Sequence, residues 1–355
     1  MHKLQLRWQH TEKGIRILQT YSDLVSINIP SMIEDCPVTE IGPYCFSASM
    51  PKHGKEPFFF SSIMMDDTGQ VTREKRIAEN SLLPSDGRYL EEVFLPPTVS
   101  VLHNAAFYNC RRLQSLRIGP ALSAIGSDEF TNCTKLARII YQGRDSDASA
   151  LALILSRLES DLYLLFTGED PGLSSGHAPG QDKSHLAGEA VSGALFFPEY
   201  YEWLDEVSPA HLFSRSIHGE GFRMRKCFLH GKVDYGKYDA CFENALKTEP
   251  RTAICRIAEC RLRWPHGLKT GAARLYRDAL DGHFDTAADM AVKERDLDLL
   301  TFLFTEFTPD KTSFSHVLDQ CIHSEWGEAA AWLMEINQQR DPLHFAKKEY
   351  DLPEW

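Results

Sequence analysis

The sequence predicts an α+β multidomain protein, in which a short solenoid of parallel strands is followed by an all-helical, α-solenoid-like domain. Two observations predict this fold class. Equivalent side chains return every 23 residues between residues 90 and 136, and beyond residue 195 the apolar residues take the spacing of helices. The predicted domains are a solenoid at 1–143 with an insert at 47–89, a capping helix and flexible linker at 144–194, and a helical domain at 195–355.

Five kinds of residue recur at the 23-residue period. The matching positions are Leu90, Leu113 and Leu136, Pro97 and Pro120, Phe107 and Phe130, Asn109 and Asn132, and Cys110 and Cys133. A coil of this length leaves both of its flanks bare, so stacking on neighbouring coils supplies its stability. We therefore expect three to four stacked coils.

Each repeat reads as a short strand followed by a stop. Residues alternate inward and outward along the run that ends at Leu95 or Ile118, and the following prolines cannot donate to a ladder. We expect the phenylalanines to fill the coil, and the asparagines to turn inward and bond the backbone of a bend. The outward strand positions then form the predicted partner-binding surface, with Glu92, Phe94, Ser115 and Arg117 as its contact residues.

These segments resemble the BspA-type leucine-rich repeats of bacteria. The matching pieces lie at 29–30, 37–42, 106–110, 125–126 and 130–133, and the resemblance covers about residues 15–143. It implies a parallel-stranded solenoid that is used for protein binding. Many relatives are surface proteins, but the start of this chain carries no apolar signal segment, so surface location is not carried over.

The insert at 47–89 interrupts the period and is rich in aromatic residues and methionine. We expect the turn residues 67–69 to close a hairpin that protrudes from the solenoid. Its side chains form a second candidate partner-binding patch, made of Phe58, Phe59, Phe60 and Met64. The alternative is that these residues cap the coil or pack on the second domain.

Helical spacing appears in two parts of the remaining chain. Residues 145–165 read as a helix that seals the open end of the solenoid, and 167–193 read as a linker. In the second half, Phe284, Ala288 and Val292 fall on one helix face, with Asp296 and Ser324 placed to cap later helices. Arg256 and Arg263 share a face that we expect to be solvated.

Residues 211–230 form the candidate site for chemistry, and three interpretations remain open. Arg215, His218, Arg223 and Arg225 are candidates for holding an anion. Cys227, His230 and His218 offer three metal ligands without the second half of a zinc site, so we expect no metal. The third interpretation is that the arginines form ion pairs with nearby acidic residues and have only a structural role. The G-x-S-x-G pattern at 172–176 lies in a loop-like tract and lacks the strand and helix of a nucleophile elbow.

Charge and composition argue against some classes of function. Residues 1–143 hold 15 basic and 15 acidic residues, so the rest of the chain carries the whole net charge of -12. An acidic half repels phosphate backbones, and no apolar run is long enough to span a membrane, so we expect neither nucleic-acid binding nor membrane insertion. Nine cysteines over 355 residues suit a reducing compartment, which predicts a cytoplasmic protein.

The predicted function is non-catalytic protein–protein interaction or scaffolding, with no cofactor and an unknown protein partner. This rests on the repeat and on the lack of a catalytic constellation. Two alternatives remain: small-ligand binding or enzymatic activity around 211–230, and a cell-surface adhesin whose signal was removed.

Overall fold

The computed structural model describes residues 2–49, 57–66, 71–168, 191–207 and 212–340. Its strands in chain order are β1 (His2–Thr11), β2 (Gly14–Tyr21), β3 (Ser26–Asn28), β4 (Met32–Ile33), β5 (Cys36–Ile41), β6 (Phe59–Met65), β7 (Val71–Ile77), β8 (Glu92–Phe94), β9 (Val101–Leu102), β10 (Ser115–Ile118), β11 (Ala124–Ile125), β12 (Arg138–Tyr141), β13 (Leu162–Phe166), β14 (Gly193–Phe197), β15 (Tyr201–Val207), β16 (Leu212–His218), β17 (Phe228–Leu229) and β18 (Lys232–Val233). Its helices are α1 (Ser149–Leu155), α2 (Gly221–Met224), α3 (Tyr235–Ala240), α4 (Phe242–Thr248), α5 (Arg251–Arg263), α6 (Thr270–Gly282), α7 (Phe284–Glu294), α8 (Leu297–Glu306), α9 (Lys311–His323) and α10 (Gly327–Arg340).

Two sheets form the solenoid, and successive turns of the chain add a strand to each. The front sheet runs in the order β14-β13-β12-β10-β8-β3, with β3, β8, β10, β12 and β13 parallel. The back sheet contains the parallel strands β2, β5, β9 and β11. A short-stranded solenoid followed by helices is the fold class that the sequence predicts.

The 23-residue register is confirmed by side chains that repeat at the same depth. The inward residues Val93, Leu116 and Ile139 are neighbours across the parallel strands, and all three are fully buried. The ring of Phe107 stacks on Phe130 at a centroid distance of 5.7 Å and on the ring of Phe46 at 4.9 Å. Stacking therefore buries an apolar core that no single turn encloses.

The two asparagines of the repeat do not turn inward, so that prediction was wrong. Asn109 and Asn132 adopt positive φ angles of 61° and 64°. Their side chains lie outside, where Asn132 Nδ2 donates to Asn109 Oδ1 at 2.6 Å. Asparagine suits these positions because it tolerates left-handed backbone better than most residues.

The insert forms a hairpin that continues the back sheet. Strands β6 and β7 pair with each other, and β6 also pairs with β1, both antiparallel. The hairpin therefore lies within the sheet and does not protrude as expected. Most of β7 is charged and exposed, which suits a strand at the edge of a sheet. The predicted turn at 67–69 lies outside the described residues.

The solenoid continues beyond the last recognised repeat. The helix predicted over 145–165 ends at Leu155, and α1 packs against β11. Strand β13 then adds a parallel turn, and β14 pairs with it antiparallel. Five parallel strands in the front sheet exceed the predicted three to four coils, because the β13 turn lacks the proline and asparagine signature. The domain boundaries at 143 and 194 stay a prediction.

Strands β14, β15 and β16 occupy 193–197, 201–207 and 212–218, where we expected the helical domain to begin. Strands β15 and β16 form a separate antiparallel hairpin in which Tyr201 pairs with His218 and Trp203 with Ser216. The aromatic residues Tyr201 and Trp203, on either side of Glu202, favour a strand over a helix. After α1, the next described helix starts only at Gly221.

Helices α5 to α10 pack in an order typical of stacked helix pairs. Helix α5 contacts α6 and α7, and α7 contacts α8 and α9, while α9 contacts α10. The predicted face with Phe284, Ala288 and Val292 is buried. Asp296 caps α8 as predicted, accepting from the Leu299 N–H at 2.9 Å. Ser324 does not begin a helix: it follows the C-terminus of α9, and α10 starts three residues later.

Candidate protein-binding site

The front sheet brings four of the predicted contact residues together. Parallel pairing places Ser115 beside Glu92 and Arg117 beside Phe94. These residues alternate with the fully buried Val93 and Leu116, so they lie on the opposite side of the sheet from the core. We call the group Glu92, Phe94, Ser115 and Arg117 the front ladder.

The front ladder is less exposed than the sequence predicts. Ser115 is 1% exposed and Phe94 is 8% exposed, while Glu92 and Arg117 are half-buried. The guanidinium of Arg117 lies 4.7 Å from the centroid of the Phe94 ring, which is cation–π geometry. Long side chains on neighbouring strands thus cover the short ones between them.

One polar atom on Glu92 and one on Ser115 have no hydrogen-bond partner among the described residues. They are Ser115 Oγ and Glu92 Oε2, and both are buried. Such atoms are uncommon in folded proteins because leaving them unsatisfied costs free energy.

Arg138 continues the row formed by Glu92 and Ser115, one strand further along the sheet. Burial lowers the pKa of Arg138, and the carboxylate of Glu92 acts in the opposite direction. Sequence reasoning missed Arg138, although it stands 23 residues after Ser115. The repeat period was therefore the signal that could have identified it.

The helical region covers the far end of the front sheet. The Arg256 guanidinium of α5 lies 5.2 Å from the Tyr163 ring centroid, and its Nη1 donates to the Tyr163 hydroxyl at 2.6 Å. Arg256 also pairs with Glu294 of α7. Arg263, on the same helix, has a largely buried side chain and lies 3.9 Å from Asp296. The prediction of a solvated arginine face was wrong, because this face of α5 packs toward the sheet and α7.

A groove of about 250 Å³ lies where the front sheet meets α5 and α7. Its lining includes Lys135, Arg138, Asp161, Tyr163 and Glu294. Charges of both signs line it, and Arg138 links it to the front ladder. The front ladder is therefore continuous with this groove through Arg138.

The four candidate residues of the insert lie on the back sheet, away from the front ladder. Phe59 packs on Trp8 with ring centroids 5.0 Å apart, which matches the capping alternative. Phe58 is 41% exposed, and the Arg7 guanidinium lies 3.7 Å from its ring centroid. Phe60 and Met64 are half-buried. Partner binding by this patch stays a prediction.

Of the predicted anion-binding residues, His218 and Arg223 line one cleft, whereas Arg225 is not part of its lining. Arg223 donates to Glu220 Oε1 at 2.9 Å, and Arg225 is buried, where it donates to the Pro198 carbonyl at 2.6 Å. Burial lowers the pKa of Arg225 to about 10. The His218 ring stacks on Tyr201, and Arg215 lies in β16. Anion binding here stays a prediction, although these contacts favour the structural alternative.

The candidate metal ligands do not form an assembled site within the described ranges. Burial raises the pKa of the Cys227 thiol, which disfavours the thiolate that a metal requires. No group of three or more His, Cys, Asp or Glu side chains suited to a metal occurs in the part of the chain that the structure describes. The serine pattern at 172–176 lies outside the described residues.

Among the described helices, none has both the length and the apolar character needed to cross a membrane.

Comparison with known proteins identifies the repeat. The family model described as BspA type Leucine rich repeat region (6 copies) matches residues 85–153, which contain β8 to β12. No curated protein and no solved structure matches the chain. Repeats of this family are associated in general with protein–protein interaction or adhesion, and the family is generally non-enzymatic. Residues 85–153 are therefore similar to BspA-type leucine-rich repeats, and they lie within the longer solenoid.

Proposed function

We propose that this protein binds another protein through the front ladder and catalyses no reaction itself. The observation that supports this most directly is that the partly exposed Glu92 and Arg117 lie on neighbouring parallel strands, on the side of the front sheet that faces away from the core. Arginine is enriched among the residues that dominate binding energy in protein interfaces. A solenoid also presents such residues on a rigid surface, which lowers the ordering cost of binding.

Nine free cysteines support a cytoplasmic location as part of this proposal. Cys110 and Cys133 are buried in the repeat, where each thiol donates to a backbone carbonyl at 3.1 Å. Cysteines used as small buried residues are typical of proteins from reducing compartments. The partner is then an intracellular protein.

Affinity capture with a charge-reversal variant tests the proposal. We expect Arg117→Glu to reduce recovery of at least one captured protein by tenfold or more, since a central arginine contributes about 2 kcal/mol or more to many interfaces. The matched control is Lys13→Glu, which makes the same charge change at an exposed turn residue between β1 and β2. Recovery is quantified by mass spectrometry, and circular dichroism confirms that both variants fold. Identical captures from both variants and the wild type would argue against binding at the front ladder.

A further inference from the structure

A second cleft, of about 880 Å³, lies at the base of the β15–β16 hairpin. Tyr201 and Ile217 of the hairpin line it, together with residues of α2 and α4 and of the loops beside them. It contains none of the front ladder residues. Its large volume and open form suit a segment of polypeptide better than a small molecule that must be enclosed.

Four carboxylates line this cleft: Asp161, Glu199, Glu220 and Glu249. Burial raises the pKa of Glu249, and the charges of Glu220, Asp161 and Glu199 raise it further. The carboxylates are thus close enough to repel one another. Two cationic side chains, Arg223 and Lys247, also line the cleft, and Arg223 already pairs with Glu220. The lining therefore has an excess of negative charge.

Glu220 supplies a second, independent observation. The residue is only 6% exposed, and its Oε1 accepts from Arg223. Its Oε2 is buried in the wall of the cleft and has no hydrogen-bond partner among the described residues. A buried carboxylate oxygen without a donor favours a ligand that brings one.

The hairpin beside the cleft exposes large apolar side chains. Trp203 is 55% exposed and Leu204 is 66% exposed, and Tyr201 at the rim is similarly accessible. Strands β15 and β16 pair only with each other in the described sheets. Exposed aromatic residues next to a charged cleft are typical of surfaces that recognise another protein.

We propose that the cleft binds a basic segment of a protein partner, with lysine or arginine side chains reaching Glu220 and Glu249 and neighbouring apolar residues lying on the hairpin. Charge complementarity selects this occupant, because an ammonium or guanidinium group both relieves the repulsion among the carboxylates and donates to Glu220 Oε2. The same charge excess repels nucleic acid. This inference extends the proposed role in protein binding to a different surface. A negative result in the Arg117→Glu capture would therefore leave this inference standing, and a negative result in the test below would leave the front ladder proposal standing.

The test measures fluorescence anisotropy with a fluorescein-labelled peptide of alternating Arg and Val, added to the full chain. Its counterpart carries Glu in place of Arg. We expect the Arg peptide to bind and the double variant Glu199→Gln/Glu249→Gln to weaken binding roughly tenfold. Both substitutions keep a side-chain oxygen, so the contact from the Glu220 N–H to Glu249 at 2.6 Å can persist. Glu199→Gln alone, at an exposed position, should weaken binding about threefold and keeps the test decisive if the double variant misfolds.

The control variant Glu12→Gln/Glu79→Gln removes the same charge at two exposed positions outside the cleft. It should bind the Arg peptide as the wild type does. Equal weakening by both double variants would assign the binding to net charge and overturn the proposal. Binding of the Glu peptide with equal affinity would overturn it as well. Complete displacement of the Arg peptide by spermine at equal concentration would assign the cleft to a polyamine and contradict a protein partner.

Discussion

Asn109 and Asn132 show how one residue fixes the corner of each repeat. Both adopt positive φ angles, and their carboxamides form a short ladder that Asn109 continues by donating to Ser49 Oγ at 3.0 Å. The 23-residue spacing predicts that these positions are equivalent. It does not predict which way they face, because asparagine serves both inward backbone bonding and left-handed turns. The inward direction of Phe107 and Phe130 was predictable, because a large apolar ring at a repeat position favours burial.

Replacement of Asn109 tests this account of the corner. Asn109→Ala should lower the free energy of unfolding by about 2 kcal/mol, because alanine disfavours positive φ and the side-chain hydrogen bonds are lost. Asn109→Gly should cost about half as much, since glycine accepts the backbone conformation. Urea unfolding followed by circular dichroism measures both changes.

Arg111→Ala is the control, at an exposed position two residues away, and should change stability by less than about 0.5 kcal/mol. If the alanine and glycine variants at position 109 were equally stable, the left-handed conformation would not be what asparagine provides here.

At the scale of elements, the sequence predicts helices and strands most accurately where a single local interaction determines the structure. The cap at Asp296 depends on local chemistry, and its side chain accepts from the backbone N–H three residues on. Strand β13 was missed because a run of five buried apolar residues reads equally as helix or strand. The arginine face of α5 was wrongly predicted to be solvated. Arg256 bonds to Tyr163, which is 93 residues away, so nothing in the local sequence indicates this contact.

The contact between Glu259 of α5 and Tyr163 of β13 predicts a pH dependence of stability. Glu259 of α5 is buried and accepts from the Tyr163 hydroxyl at 3.0 Å. Burial raises the pKa of Glu259 from an ordinary value of 4.5 to about 7, and the nearby Arg263 opposes that shift. Because the folded state holds this proton more tightly than the unfolded chain, its stabilising contribution is complete below about pH 4.5. That contribution is lost as the pH rises through about 7.

Glu259→Gln keeps the side chain uncharged at every pH. We therefore expect the Tm of the variant to rise relative to that of the wild type between about pH 5 and pH 8. Scanning fluorimetry across this range measures the difference. Glu12→Gln, at an exposed site, should keep a constant offset from the wild type. A constant offset for Glu259→Gln too would show that α5 does not hold a protonated carboxyl against the sheet.

At the scale of the whole molecule, the groove beside the front ladder and the acidic cleft adjoin each other. The groove beside the front ladder and the acidic cleft share Asp161 in their linings, so they form neighbouring parts of one side of the molecule. The repeat period predicts the solenoid because periodic burial constrains residue type. The acidic cleft was not predictable, because its carboxylates come from separate positions between 161 and 249 that only the fold brings together.

Photo-crosslinking inside cells tests most directly whether the front ladder is a protein-binding surface. A benzophenone amino acid is placed at position 117 and, as a control, at position 13, and the crosslinked products are separated by mass. The account predicts a product of defined mass at position 117, containing the same protein that Arg117→Glu fails to capture, and no such product at position 13. No product at position 117, or the same product at both positions, would contradict it.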